Sequence, residues 1–443
     1  MLFKKWAALA VALALLPLLD ACGIDDVNDG QVRIVNATTD YASIDLYTQD
    51  SDGNDTLVVS GTDASAVSGY TKVDKGSKTF EIKSGTSAGN ASSATGTITT
   101  DDHFTLVSYI TGNTLDTVFL SDEENNPSSG NAKLRILNGA STEAGSVDVY
   151  LSQNACNALS TTDTAFASAV AGPTAGAAFT TAYSQVTAAS AGTTWNLCVT
   201  SNGDKSTVLL DIPTFTLKNQ EIATLILTRT AGGVLLNASL LDQQGALTSF
   251  ANSIARVRVI ADAASSGTVS ATVNGVSLSG DAVSPSINNY VAVPSGAVTG
   301  TYEINDTSIS GVTLANLAAG SDYTLFIGGT TSAPTVTLIQ DNNTPSTSAS
   351  LPVEARVLNG VNGVNGTVTA NASGKQIGSN VAFGAASAYT AITAATGTAT
   401  LNVSIGGVAQ TAQTDQTFTS GAVYTILVYG DSSAPQIVIN QDN

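Results

Sequence analysis

The chain has 443 residues and a formal net charge of −19, with only 16 Lys and Arg. That length exceeds one typical core and allows several domains, and the charge balance excludes a basic stripe for docking on nucleic acid or anionic lipid. Charged residues make up 12% while Gly, Ala, Ser, Thr and Val dominate, a composition suited to half-buried pleated surfaces and unlike that of a disordered chain.

The first element is an export leader. Lys4 and Lys5 precede an apolar run from Trp6 to Leu19, broken only by Pro17, and Ala21-Cys22 follows. The run is shorter than the roughly 20 apolar residues that span a bilayer. Nothing after Gly23 continues a helical apolar pattern, so residues 1–21 read as a signal peptide. Leu19-Asp20-Ala21-Cys22 resembles the lipobox of bacterial lipoproteins, with Leu19 at the third position before the cysteine and Ala21 just before it. The resemblance implies that Cys22 is the lipidated first residue of the mature chain and its membrane anchor. Gly23, where an aspartate would signal inner-membrane retention, implies outer-membrane sorting. Asp20 departs from the small or apolar residue usual at its place. Ordinary cleavage after Ala21 is the alternative, but it favours a small residue where Leu19 stands. Residues 22–30, with Asp25-Asp26-Val27-Asn28-Asp29, read as a hydrated spacer.

Beyond the spacer the chain repeats. Val32-Arg33-Ile34-Val35-Asn36, Leu134-Arg135-Ile136-Leu137-Asn138, Val257-Arg258-Val259-Ile260-Ala261 and Ala355-Arg356-Val357-Leu358-Asn359 align without gaps. Each opening has a matching close, ending in Asp122, Asp242, Asp341 and Asp442, and an aliphatic stretch such as Phe104-Thr105-Leu106-Val107 shortly before it. The markers delimit four tandem domains at 31–124, 132–245, 254–342 and 352–443. Polar connectors such as 123–130 and 342–347 read as tethers. The connector between the second and third domains carries Leu247, Phe250 and Ile254 and is expected to pack between them.

Within each repeat the pattern is β. In the first, strands are expected near 32–36, 43–48, 56–60, 69–73, 79–83, 95–99, 103–110 and 115–121, separated by Gly, Asn, Asp and Ser turns. Only Ala-rich stretches around 154–178 are ambiguous with helix. Seven or eight short strands in about 90–110 residues suit an antiparallel sandwich of immunoglobulin-like class. With Cys22 committed to lipid, Cys156 and Cys198 remain as an even pair in an exported chain and are expected to form a disulfide.

Val32 to Asp40 followed by Ser43-Ile44-Asp45-Leu46-Tyr47, and Leu134 to Tyr150 with Val147-Asp148-Val149-Tyr150, resemble the opening of domain-of-unknown-function family 4397. The third and fourth repeats depart from it, with Ser270 and Thr369 where Asp45 and Asp148 stand, and the prolines usual between the two strands are missing. The resemblance implies extracytoplasmic β-sandwich modules, commonly tandem and often on lipoproteins, and carries no known activity.

Candidate chemistry is sparse. Asp45 and Asp148 invite pairing with Arg33 and Arg135 on an adjacent strand, either as a functional pair or as a solvent-face contact. Asp50-Ser51-Asp52-Gly53-Asn54-Asp55 has carboxylates spaced for a calcium ion, but it fails the EF-hand template and reads as a solvated hairpin loop. His103 is the only histidine, no G-x-S-x-G elbow accompanies it, and ordinary zinc sets are ruled out. Gly360, Gly363 and Gly366 precede no helix and are not a phosphate loop. Trp195 in W-N-L-C-V reads as core rather than as a carbohydrate platform. No catalytic residue, metal ligand or cofactor is expected.

These readings converge on a non-enzymatic cell-envelope protein, lipid-anchored at Cys22, whose repeated modules act in adhesion, matrix attachment or scaffolding. Its partners would be the membrane and a surface protein or polysaccharide, without nucleic acid. A periplasmic or surface glycan-binding lipoprotein is the alternative. The sequence leaves open the membrane face, the ligand and the oligomeric state.

Overall fold

The computed structural model describes residues 28–39, 41–84, 91–111, 114–173, 181–187, 194–230, 232–344, 353–362, 366–393, 398–431 and 434–442. The leader with Cys22, the acids Asp25 and Asp26, and Gly363 lie outside the described residues.

The opening strand of the first repeat, β1 (Asp29–Asn36), sets the architecture. Val32 and Ile34 point one way, Arg33 and Val35 the other, and all four are buried. A strand buried on both faces must lie in a sheet that is covered from two sides. The strands that follow are β2 (Ser43–Gln49), β3 (Asp55–Asp63), β4 (Ala66–Val67), β5 (Thr71–Asp74), β6 (Gly76–Lys83), β7 (Ala91–Ile98), β8 (His103–Thr111) and β9 (Thr114–Ser121). One sheet orders β4-β1-β8-β9, with β5 also on β1, and the other orders β3-β2-β6-β7. The strand expected at 69–73 is shifted: β4 and β5 flank Ser68 to Tyr70. Ile44 and Leu46 of β2 and Phe80 and Ile82 of β6 meet Val32, Ile34, Phe104 and Leu106 of the first sheet in one core.

The same plan recurs in three later stretches, so the described chain is all-β with eight sheets, two in each stretch. Separate hydrophobic cores collect residues 132–240, 255–327 and 353–428. The Ala-rich region around 154–178 holds a short 3-10 turn, Cys156–Ala158, and the strand Ala167–Val170, while residues 174–180 lie outside the described residues.

The sheets are largely antiparallel, as expected of a sandwich of immunoglobulin-like class, but each repeat also contains one parallel pair. β1 and β8 run parallel, Val32 beside Phe104 and Arg33 beside Thr105. So do Ala132–Asn138 with Ile222–Arg229, Ile254–Ala263 with Asp322–Thr330, and Val353–Asn362 with Val423–Asp431. The other ladders are antiparallel. In the immunoglobulin order the first two strands share a sheet, whereas here β1 and β2 lie in different sheets. The chain crosses to the second sheet and back before β8 arrives, and parallel neighbours need such a crossover. Because β9 is antiparallel to β8, Val32, Phe104 and Ser121 lie in one row across the sheet. The first repeat therefore releases the chain at the end of its strands where it entered, whereas in the second a further strand, Leu247–Phe250, runs back along Leu236–Asp242 before the chain moves on.

The asparagine that ends the opening motif stitches the two sheets together. Asn36 Nδ2 donates to the carbonyls of Tyr41 and Thr62, at 3.1 and 3.2 Å, and its Oδ1 accepts from Thr38. Asn138 reaches Gly145 and Val170, and Asn359 reaches Gly366 and Val381, in the same manner. The third repeat has Ala261 there, and Ser284 Oγ instead accepts the Ala263 N–H at 2.8 Å. Buried backbone groups left unpaired are costly. Replacing Asn138 by Leu should therefore cost about 1–3 kcal/mol, read as a lowered urea midpoint of the full chain at unchanged slope.

Candidate functional site

The outer face of each β1-type sheet carries a buried arginine, and its partners form the most elaborate polar constellation among the described residues. In the third and fourth repeats the arrangement is reciprocal. Arg258 donates from Nε to Thr324 Oγ1 of its own repeat at 2.9 Å, from Nη2 to Thr425 Oγ1 of the next at 3.1 Å, and from Nη1 to Asp442 Oδ1 at 2.6 Å. Arg356 donates from Nε to its own Thr425 at 3.0 Å, and from Nη2 to Thr324 at 3.3 Å and Asp341 Oδ1 at 2.5 Å. The closing aspartate of each repeat thus receives the arginine of the other. Tyr290 and Tyr389 complete the set: each ring covers an arginine, at 4.8 Å from Arg258 and 4.6 Å from Arg356, and each hydroxyl donates to an aspartate.

Burial works against both guanidinium charges, but the carboxylates and tyrosines around them win, and both arginines are held above their ordinary value. Charged pairs taken out of water persist only when their hydrogen bonds are met, as here. Beside the clamp, Ile260, Phe326, Leu358 and Leu427 pack repeat to repeat.

The first and second repeats carry half of this device. Arg33 donates from Nε to Thr105 at 2.8 Å, and it reaches across to the backbone carbonyls of Gly245 at 2.5 Å and Asp242 at 3.0 Å. Tyr70 covers it and donates to Asp122, which lies 3.6 Å from the guanidinium. Asp242 turns its carboxylate aside, to Lys218 at 3.0 Å and to Glu221. Glu221 is pushed up to about 7 by burial and by its hydrogen bond with Asp242. Arg135 pairs with Thr224 and with the carbonyl of Ser121, and burial lowers its pKa from the ordinary value. Val35, Val107, Leu120, Leu137, Ile226 and Leu241 close the apolar part of the junction.

The second and third repeats also touch. Ile254 packs with Tyr150, Val208 and Leu235. Asn343 donates from its backbone N–H to Gly232 and from Nδ2 to Asp322, the partner of Arg256. Of the connector residues expected here, Ile254 does lie between these repeats. Leu247 packs at the first junction and Phe250 on the core of the second repeat. The tether reading of 123–130 is corrected as well: Gln243 exchanges hydrogen bonds with both backbone groups of Glu124, and Pro127 is buried.

Residues 30–150 match the family model described as a domain of unknown function, DUF4397. The DUF4397 match covers the first repeat and the opening of the second, ending on Tyr150. No curated protein sequence matches the chain. Among solved structures, a fimbrial assembly protein from Parabacteroides distasonis is 10% identical, with 50% of this chain and 98% of that one covered and a TM-score of 0.17. A tetra-tandem repeat from the extending region of a large adhesion protein is 12% identical, with 94% and 99% covered and a TM-score of 0.10. At these scores neither likeness bears on fold or role.

The acid of the DUF4397 opening does not pair with the arginine. Asp45 lies in the other sheet, and its Oδ1 accepts the Gly61 N–H at 2.6 Å, where β3 bulges. Asp148 accepts the N–H groups of Ala169 and Gly203 at 2.8 and 2.9 Å. Ser270 and Thr369 accept from Asp281 and Asn380 in the same way, each at 3.0 Å. Gly61, Ala169, Asp281 and Asn380 all have φ between 49° and 66°. The position therefore holds the left-handed residue of a β-bulge, and a hydroxyl serves it as well as a carboxylate.

The other candidates resolve into structural contacts. Cys156 and Cys198 are joined in a disulfide. Asp50 caps its own hairpin by accepting from Asp52 and Asn54, while Asp55 pairs with Lys83. His103 starts β8, and its Nδ1 lies 2.9 Å from Glu123. Trp195 is buried in the core of the second repeat.

The asymmetry between the two pairs has a measurable consequence. Asp341→Ala or Asp442→Ala strands a buried arginine and should cost about 3–5 kcal/mol. Asp242→Ala, whose side chain is 27% exposed against a 77% exposed lysine, should cost no more than about 1 kcal/mol. Chemical denaturation of the three full-length variants measures the contrast.

Proposed function

We propose that the chain is a lipid-anchored envelope protein in which four β-sandwich domains, at 31–124, 132–245, 254–342 and 352–443, act as a non-catalytic attachment or scaffolding module. The observation that carries this reading is the reciprocal arginine–aspartate clamp between the third and fourth repeats. It uses buried charge to fix one repeat against the next, and the same sheet faces are covered in the first pair. Asp45, Asp148, Asp50, Asp55 and His103 are committed to bulges, a hairpin cap and ion pairs. Such a chain offers several surfaces at fixed spacing, and weak contacts then add through effective concentration. The anchor would be Cys22, with the domains on the periplasmic or the outer face of the outer membrane.

Binding to purified extracellular matrix and to cell surfaces tests the reading. The full chain should bind about a hundredfold more tightly than either two-domain half. Equal binding by one half would remove the multivalent role, and turnover of a matrix polymer would replace it with a hydrolase. A Cys22→Ala variant should leave the membrane fraction on cell fractionation.

A further inference from the structure

The junction between the third and fourth repeats contains one group that its symmetry does not explain. The outer face of Ile254–Ala263 presents Arg258, Ile260 and then Asp262, where the fourth repeat presents Arg356, Leu358 and Gly360. The corresponding residues of the first two repeats are Ala37 and Gly139. Asp262 is 3% exposed, and its Oδ2 has no hydrogen-bond partner. It lies directly against Gly360: a Cβ added there would sit 2.5 Å from that oxygen. A carboxyl has thus been fitted between two repeats, in space that only a glycine opposite can leave.

We propose that Asp262 makes this junction a pH-dependent lock, docked while the carboxyl is protonated and released as it ionises. A buried carboxylate that lacks a hydrogen-bond donor is disfavoured far more than the neutral acid. The groups around it offer no compensation. On its own face Arg258 is engaged by Thr324, Thr425 and Asp442. From the facing strand Arg356 is engaged by Thr425, Thr324 and Asp341. Within its sheet the neighbour is Gly328, and from Val423–Asp431 the Tyr429 hydroxyl donates to Gln436. Burial is accordingly the one cause acting on the acid, and it pushes the carboxyl up to about 8.

A cavity of about 390 Å³, lined by Asp262, Ser265 and Ser284 of the third repeat and Tyr429 and Gln436 of the fourth, adjoins the site and gives water a place beside the carboxyl when the junction loosens. The direction follows from linkage. The acid titrates near its ordinary 3.8 when the junction is open and near 8 when it is closed. Below the first value both states hold the proton and pH has no effect. Between the two, each unit of rising pH multiplies the open-to-closed ratio by up to about ten. Above the second the ratio levels off.

Distances between spin labels on Val283→Cys and Val408→Cys, exposed positions of the third and fourth repeats, in the full chain carrying Cys22→Ala, test the lock. A single narrow distance at pH 5 should broaden or lengthen by pH 9, and Asp262→Asn, a neutral isostere, should hold the narrow distance at both. In parallel, the thermal midpoint of Asp262→Asn should equal that of the parent at pH 4 and exceed it by a margin that widens to pH 8 and then stays constant. A parent distance unchanged across this range, or a pH response that survives Asp262→Asn, overturns the proposal.

Discussion

A buried guanidinium on the outside of a sheet is the constraint from which the rest of this structure follows. An arginine in the middle of an apolar strand cannot face solvent without exposing its valine and isoleucine neighbours, and it cannot be buried without several acceptors. A single repeat supplies a threonine, a tyrosine and an aspartate, yet it leaves the outer face of the sheet bare. A second repeat, turned face to face, supplies both the missing acceptors and the missing apolar cover. The repeats are therefore pairs in their energetics, whatever their separation in sequence.

The two pairs illustrate how tolerant that solution is. In the third and fourth repeats each aspartate crosses to the opposite arginine. In the first and second, backbone carbonyls of Asp242 and Gly245 do the accepting, and the Asp242 carboxylate is free to join Lys218 and Glu221. A carbonyl presented by a turn substitutes for a carboxylate because the donor needs an oxygen at the right place more than it needs a full charge. The same economy appears at the bulge, where Asp45, Asp148, Ser270 and Thr369 perform one task.

Much of this was legible in the sequence, and the reasons are local. Strand positions in the first repeat follow from alternation such as Ile44 and Leu46 against Asp45 and Tyr47, and the gapless openings mark the strands that recur at the centre of four sheets. The disulfide follows from two cysteines left in one repeat. What was not legible depends on neighbours distant in the chain. The parallel pairing of β1 with β8 arises from a crossover that hairpin logic does not contain. Asp45 was misread because pairing with Arg33 assumes one sheet, whereas the strands belong to two. The junctions were hidden behind polar connectors that look like tethers. One signal pointed to them: Val35, Val107 and Leu120 sit on the face of Arg33, so the opening strand is apolar on both sides, and a single sandwich covers only one.

The row formed by Val32, Phe104 and Ser121 bears on how the protein carries load. Since the chain enters and leaves the first repeat at the same end of its strands, tension drawn through it acts across the strands instead of along them. Ladder rungs then open one after another, like a zip, and no single step has to break them all together. A repeat built this way opens at a lower force than one whose two termini leave from opposite ends of its strands.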